Sequence, residues 1–225
     1  MHIEPGLVDG SKIFLSYATS TAAVAYAGKL AFDAVKKDGA IALLLRAVFC
    51  TALVFSFFQL LPHHAVGVSE VHLILGTTLM LIFGVAPASI GLACGLLIQG
   101  LFFAPLDLPQ YGMNVTTLLV PLFATAALAG RIIPENLAYV DINYQQAFKL
   151  SVAFQGGIVV WVGFWAFYGQ GFGADNLSSI TSFGAAYMTV VLVEPLIDLG
   201  LLAAAKLLHR FKGTMIVDKR LYNAA

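Results

Sequence analysis

Between Val71 and Leu106 the chain runs for 36 residues without a lysine, arginine, aspartate or glutamate. A helix or sheet of a water-soluble domain keeps one wet face, so charge normally interrupts an apolar run. As a single helix the run would be about 54 Å long. That exceeds the roughly 30 Å hydrocarbon core of a bilayer. Gly84 and Pro87 bracket a natural break, because proline lacks an N–H and disfavours helix just before it. The run is therefore expected to form two short helices, Val71–Val85 and Pro87–Ala104. The whole chain agrees with this reading: 60% of its 225 residues are apolar and 11% are charged, against roughly 45–50% and 25% in soluble domains. That balance excludes a soluble enzyme, a nucleic-acid binder and a disordered chain, and it predicts a polytopic membrane protein.

A helical span needs about 20 mostly apolar residues, and no strict alternation suggests a barrel. Seven spans are expected: Ile13–Phe32, Ile41–Leu61, Val71–Val85, Pro87–Ala104, Val115–Ile133, Ala147–Tyr168 and Phe183–Leu208. The chain is then a single polytopic all-α membrane domain over 1–225. Residues 1–12 are then expected to be an extracytoplasmic segment and 205–225 a cytoplasmic tail. Basic residues favour the cytoplasmic side. With the N-terminus outside and the C-terminus inside, 11 of the 12 lysines and arginines face inward and only Lys12 faces outward. Trp161, Trp165 and Tyr168 then fall at the outer end of the sixth span, as an aromatic belt does. Met1–Gly10 has no basic segment of the kind that opens a signal peptide, so the mature chain is expected to begin at Met1. Cys50 and Cys94 lie in spans and read as small buried residues.

Four of the five histidines, His2, His63, His64 and His72, fall on or near the outer side. Imidazoles without an outer cysteine suit a borderline cation such as Ni, Co, Cu or Zn better than Mg or Ca. His63 and His64 also read as solvated loop residues. His2 offers more. A free terminal amine, the amide nitrogen of residue 2 and its Nδ1 close five- and six-membered chelate rings on one metal. A fourth nitrogen completes a square plane, the geometry of Ni(II) or Cu(II). His72 is the natural fourth ligand, with Ser69 and Glu70 placed to orient its ring. The competing reading is a helix start in which Ser69 caps, Glu70 complements the dipole and His72 reaches the interface.

Two acids, Glu194 and Asp198, lie four residues apart and so on one face of the last span. Acids inside a bilayer are costly and usually functional. Glu194 reads either as a partner of Asn114 or Gln99, as part of a cation path, or, with equal weight, as an ion-pair partner of Arg131 or Lys206. Ala22, Ala23, Ala25, Ala27 and Gly28 form a small-residue stripe on the first span, suited to close helix packing within or between chains. No phosphate-binding Gly-x-x-x-x-Gly-Lys-Ser/Thr loop is present, so the chain itself is expected to bind no nucleotide.

The opening Met1-His2-Ile3-Glu4-Pro5-Gly6 resembles that of the CbiM/NikM family, typically Met-His-Ile-Pro-Asp/Glu-Gly. The likeness recurs in family order. Gly67-Val68-Ser69-Glu70-Val71-His72 stands at the family's Gly-Gly-Thr-Ser/Thr-Gly-His stretch. Leu96-Leu97-Ile98-Gln99-Gly100-Leu101-Phe102-Phe103 is similar to Leu-Leu-Ile-Gln-Ala-Leu-Leu/Phe-Phe. Tyr111-Gly112-Met113-Asn114 is similar to Leu-Gly-Ala-Asn, and Val193-Glu194-Pro195-Leu196-Ile197 to Ile-Glu-Gly-Leu-Ile. Glu4-Pro5 reverses the usual order, and the loop before His72 has fewer glycines.

The resemblance implies the substrate-capture component of a cobalt or nickel energy-coupling factor (ECF) transporter, an ABC-type system of the cell (inner) membrane. It implies seven helices and an extracytoplasmic N-terminus plugged into the bundle. The bound substrate is Ni2+ or Co2+, held by the Met1 amine, the His2 amide nitrogen and ring, and the histidine matching His72. Gln99 and Asn114 fall on positions that support the site. The implied partners are a membrane coupling subunit, ATPase subunits and a small accessory membrane subunit; no nucleic acid is involved. Two other functions compete: a solitary metal permease working without the ATPase module, and a membrane metalloenzyme built on His63, His64 and His72. The last would need a carboxylate or open site for which only Glu70 offers itself, and a transport protein that is not an enzyme is the expectation.

Overall fold

The computed structural model describes residues 3–61 and 63–224. The fold is helical: α1 (Phe14–Asp38), α2 (Ala40–Leu60), α3 (Gly76–Phe83), α4 (Val85–Phe102), α5 (Tyr111–Ile132), α6 (Tyr144–Gln170), α7 (Ala174–Met188) and α8 (Val190–Leu207). A hairpin, β1 (His64–Val66) and β2 (Ser69–Val71), precedes α3. Five helical stretches are long and apolar enough to cross a membrane: Ala40–Leu60, Val85–Phe102, Pro105–Ile132, Tyr144–Gln170 and Ala174–Leu207.

The first and third expected spans differ from the rest. α1 has the length, but Ser16, Thr19, Ser20 and Thr21 dilute its hydropathy. Their hydroxyls donate back to carbonyls three or four residues earlier, which lets an apolar environment accept them. The expected span Val71–Val85 is strand, coil and then the eight-residue α3, about 12 Å long and too short to cross. Its end is where the sequence places it: Gly84 stops α3 at φ +96° and starts α4.

Local chemistry explains several joints. Gly39 at φ +89° links α1 to α2 in one residue. Asn143 and Gln146 close a reciprocal capping box at the start of α6. Pro195 denies Val191 its helical donor, and the α7–α8 stretch breaks at Thr189, just before that turn. Close packing rests on glycines. A Cβ on Gly91 of α4 would stand 2.3 Å from Cys50 Cβ, and one on Gly95 2.6 Å from Val54 Cγ1 of α2. Gly157 of α6 faces Pro121 of α5, with 2.9 Å left for a Cβ.

The stripe on α1 divides: Ala23 and Ala27 are buried, while Ala22, Ala25 and Gly28 are exposed. Trp165 is fully buried and Trp161 donates from Nε1 to Thr116, so they pack inside the bundle and are not a lipid-facing belt. Cys50 is buried as expected, but Cys94 is exposed, because α4 turns it outward beside the α2 contact.

Residues 205–224 fold back onto the bundle. Val217, Leu221 and Tyr222 are buried, and the Asp218 N–H donates to Ile82 O at the end of α3. Buried Arg46 binds Asp38 at 2.9 Å and the Met215 carbonyl at 2.9 Å. Lys219 and Arg220 meet Asp38 and the Ile133–Pro134 carbonyls. These basic contacts mark one end of the bundle; the hairpin and His72 mark the other.

Candidate functional site

The site grows from the way the chain enters the bundle. Ile3 is fully buried and forms a single antiparallel bridge to Ser69 of β2. Its N–H donates to Asn114 Oδ1 at 2.8 Å, and the Glu4 N–H donates to Val68 O at 3.2 Å. The next residues are strapped across α6: Gln170 Nε2 donates to the Gly6 and Leu7 carbonyls. A Cβ on Gly169 would lie 1.9 Å from Leu7 O, so this glycine admits the strap. The hairpin turns at Gly67–Val68. Gly67 has φ +60°, the left-handed conformation that the first central position of a tight hairpin turn demands, and it lies directly against the Ser179 backbone.

β2 delivers His72 to the interior. Its ring is 2% exposed. Nε2 lies 2.8 Å from Glu70 Oε2, and His63 stacks on it at 4.9 Å with the rings 10° from parallel. Phe58 meets the ring edge-on at 5.4 Å. Burial, with His63 adding to it, holds the imidazole well below the usual histidine range. A neutral ring that donates from Nε2 to a carboxylate carries its lone pair on Nδ1, as in carboxylate–histidine–metal arrangements. His72 is thus not a solvated helix start, since Gly76, not His72, begins α3.

Ser69 and Asn114 are buried on either side of Ile3, and Gln99 is buried near the end of α4. Met113 is core, as its burial shows. His64 is exposed on β1, opposite Val71, and His63 reaches the centre only by stacking. The sequence reading missed Asp107. It sits in the 3-10 turn Pro105–Gln110 and lies within the electrostatic reach of Glu70 and Glu4. This closeness is hidden in sequence because the three carboxylates come from three distant segments. Among the described residues, no three His, Cys, Asp or Glu side chains gather to hold a metal ion. Met1 and His2, on which the expected ligand set depends, lie outside the described residues.

Glu194 and Asp198 are both fully buried, and neither expected set of partners is observed. Lys206 pairs with Asp141, and Asn114 Oδ1 serves Ile3. Glu194 accepts from Ser151 Oγ at 2.5 Å, Gln155 Nε2 at 2.8 Å and Thr77 Oγ1 at 3.1 Å. Asp198 accepts from Thr78 Oγ1, and the same Thr77 hydroxyl lies 2.9 Å from its Oδ2. The two threonines open α3, so the acids also complement the positive end of that helix.

The chain matches CbiM, the cobalt uptake substrate-specific transmembrane region, over residues 2–212. A solved structure, described as that of a truncated transition metal transporter, superposes with a TM-score of 0.74 at 20% identity. The match covers 93% of this chain and 99% of that one. No curated protein matches the sequence.

Proposed function

The chain belongs to the CbiM family of cobalt uptake substrate-specific transmembrane regions, and from that premise we propose that it captures Ni2+ or Co2+ outside the cell and passes it inward as the substrate-binding component of an ECF transporter. It is a multi-pass membrane protein and a metal uptake component. The proposed ligands are the Met1 amine, the His2 amide nitrogen and ring, and His72. Glu70 and Ser69 orient His72, while Asn114 and Gln99 support the segment.

One observation carries this reading: Ile3 is fixed between Asn114 and Ser69, and Ser69 stands three residues before the buried His72, which directly follows β2. The chain thus enters beside the segment that leads into His72, which supports a terminal chelate completed by that ring. The negative charges of Glu4, Glu70 and Asp107, within electrostatic reach of one another, favour a divalent cation on that side. In this reading residues 1–12 are the outer metal-binding segment, 205–225 face the cytoplasm, and the whole chain is one domain of the inner membrane.

Energy comes from a membrane coupling subunit and ATPase subunits, with a small accessory membrane subunit. Uptake of radioactive 63Ni2+ or 57Co2+ into cells lacking their own metal importers tests this. The chain with the complete module is expected to accumulate metal, and the chain alone is expected to stay at background. Equal uptake by the chain alone would establish a solitary permease instead.

A further inference from the structure

We propose that Glu194 and Asp198 form an intramembrane proton site, sharing one exchangeable proton through the Thr77 hydroxyl and thereby fastening the start of α3.

Hydrogen counting leads there. Thr77 Oγ1 touches a carboxyl oxygen of each acid, at 3.1 and 2.9 Å, but a threonine hydroxyl carries one hydrogen. It donates to one acid, so the other contact is made only if that acid brings a hydrogen of its own. Asp198 then donates to Thr77 Oγ, and Thr77 donates to Glu194. Reversing both bonds moves the proton to Glu194 and the charge to Asp198, with nothing gained or lost. The two states differ by one helical turn along α8, about 5.4 Å.

Charge accounting agrees. Both acids are fully buried, and two unpaired carboxylates in a low-dielectric interior repel one another strongly. Among the described residues, no basic side chain pairs with either acid. The elements packed on α8 bring little else that titrates. α3 has no ionisable residue, Tyr144 and Lys149 of α6 are exposed, Tyr168 lies at the far end of α6, and Asp175 is exposed at the start of α7. Asp141 is engaged with Lys206. Tyr187 adds a fully buried phenol at the end of α7, while Tyr139, Arg210 and Tyr222, which donates to Ala205 O, belong to the other end of α8.

Two further groups show that the cluster has open polar positions. Gln155 is fully buried; its Nε2 is spent on Glu194, while its Oε1 meets no donor among the described residues. The equally buried Tyr187 hydroxyl has no hydrogen-bond partner among them either. A hydrated metal ion is a poorer fit, since Ser151, Gln155 and Thr77 already stand at 2.5–3.1 Å from the carboxyl oxygens.

The site bears on the rest of the molecule through the chain. Thr77 and Thr78 lie five and six residues after His72, beyond Leu75, whose φ of +56° is the sole positive value at a non-glycine position among the described residues. The proton therefore holds the helix that continues the His72 segment.

Infrared spectra of the full chain in detergent at neutral pD test the site without any metal. Wild type minus Glu194→Gln, and wild type minus Asp198→Asn, are each expected to contain one carboxylic-acid C=O band, because either amide relieves the other acid of its need for a proton. A flat acid region in either difference spectrum would overturn the shared proton. Wild type alone provides a check that no variant can spoil by misfolding: absence of any acid band at neutral pD would overturn it equally.

Discussion

His72→Ala is expected to lower Ni2+ or Co2+ affinity by about 100-fold or more, since loss of a mere orienting partner already costs roughly 10–100-fold. The ring is buried, neutral and held by Glu70, so nothing nearby replaces it. His63 is the informative contrast. It stacks on His72 but is exposed, and His63→Ala is expected to change affinity only a few-fold. Calorimetric titration of the purified chains separates the two. Near-wild-type binding by His72→Ala would remove His72 from the ligand set, and an equal loss from both variants would point to a histidine pair.

Gly91→Leu is expected to have the largest effect on the fold. The first added carbon would stand 2.3 Å from Cys50 Cβ and 2.8 Å from its carbonyl carbon. A backbone cannot give way as a flexible side chain does. Overpacking of this kind costs roughly 3 kcal/mol, and the rest of the leucine adds to it. In lipid the α2–α4 contact depends on close van der Waals approach, so the expected result is a lower thermal transition and loss of the monodisperse peak on gel filtration. Gly28→Leu is the control, because nothing lies within 4 Å of a Cβ there. Equal behaviour of the two variants would mean that α2 and α4 do not pack through Gly91.

What could be read in the sequence was local. The break at Gly84 was legible because glycine and proline punctuate a helix wherever they stand. The long apolar runs of α2, α4, α5 and α6 were legible because lipid demands about 20 such residues. The hairpin was not: His64 to Val71 is too short and mixed to show a period, and the bridge it receives from Ile3 comes from a distant part of the chain. α1 was read as a span from its length, while its hydroxyls leave it less apolar than the others.

The site divides in the same way. His72, Ser69, Glu70 and Asn114 stood in motifs; Ser69 and Asn114 meet Ile3, and Glu70 meets His72. Asp107 had no motif and is recognised only once the fold brings it within electrostatic reach of Glu70 and Glu4. Glu194 and Asp198 were visible as misplaced charges, but their partners were not. Thr77, Thr78, Ser151 and Gln155 are ordinary polar residues on two other helices, and nothing local marks them. The 205–225 segment was read as a tail from its basic residues, although Val217, Leu221 and Tyr222 dock it to the bundle.

The terminal chelate is the central claim, and one addition tests it while retaining every side chain. Metal content is measured on purified chain with a native Met1 and on the same chain with one residue placed before it. The account predicts one Ni2+ or Co2+ per native chain and almost none in the extended form, whose amine is displaced from the site. Equal occupancy in both would contradict it.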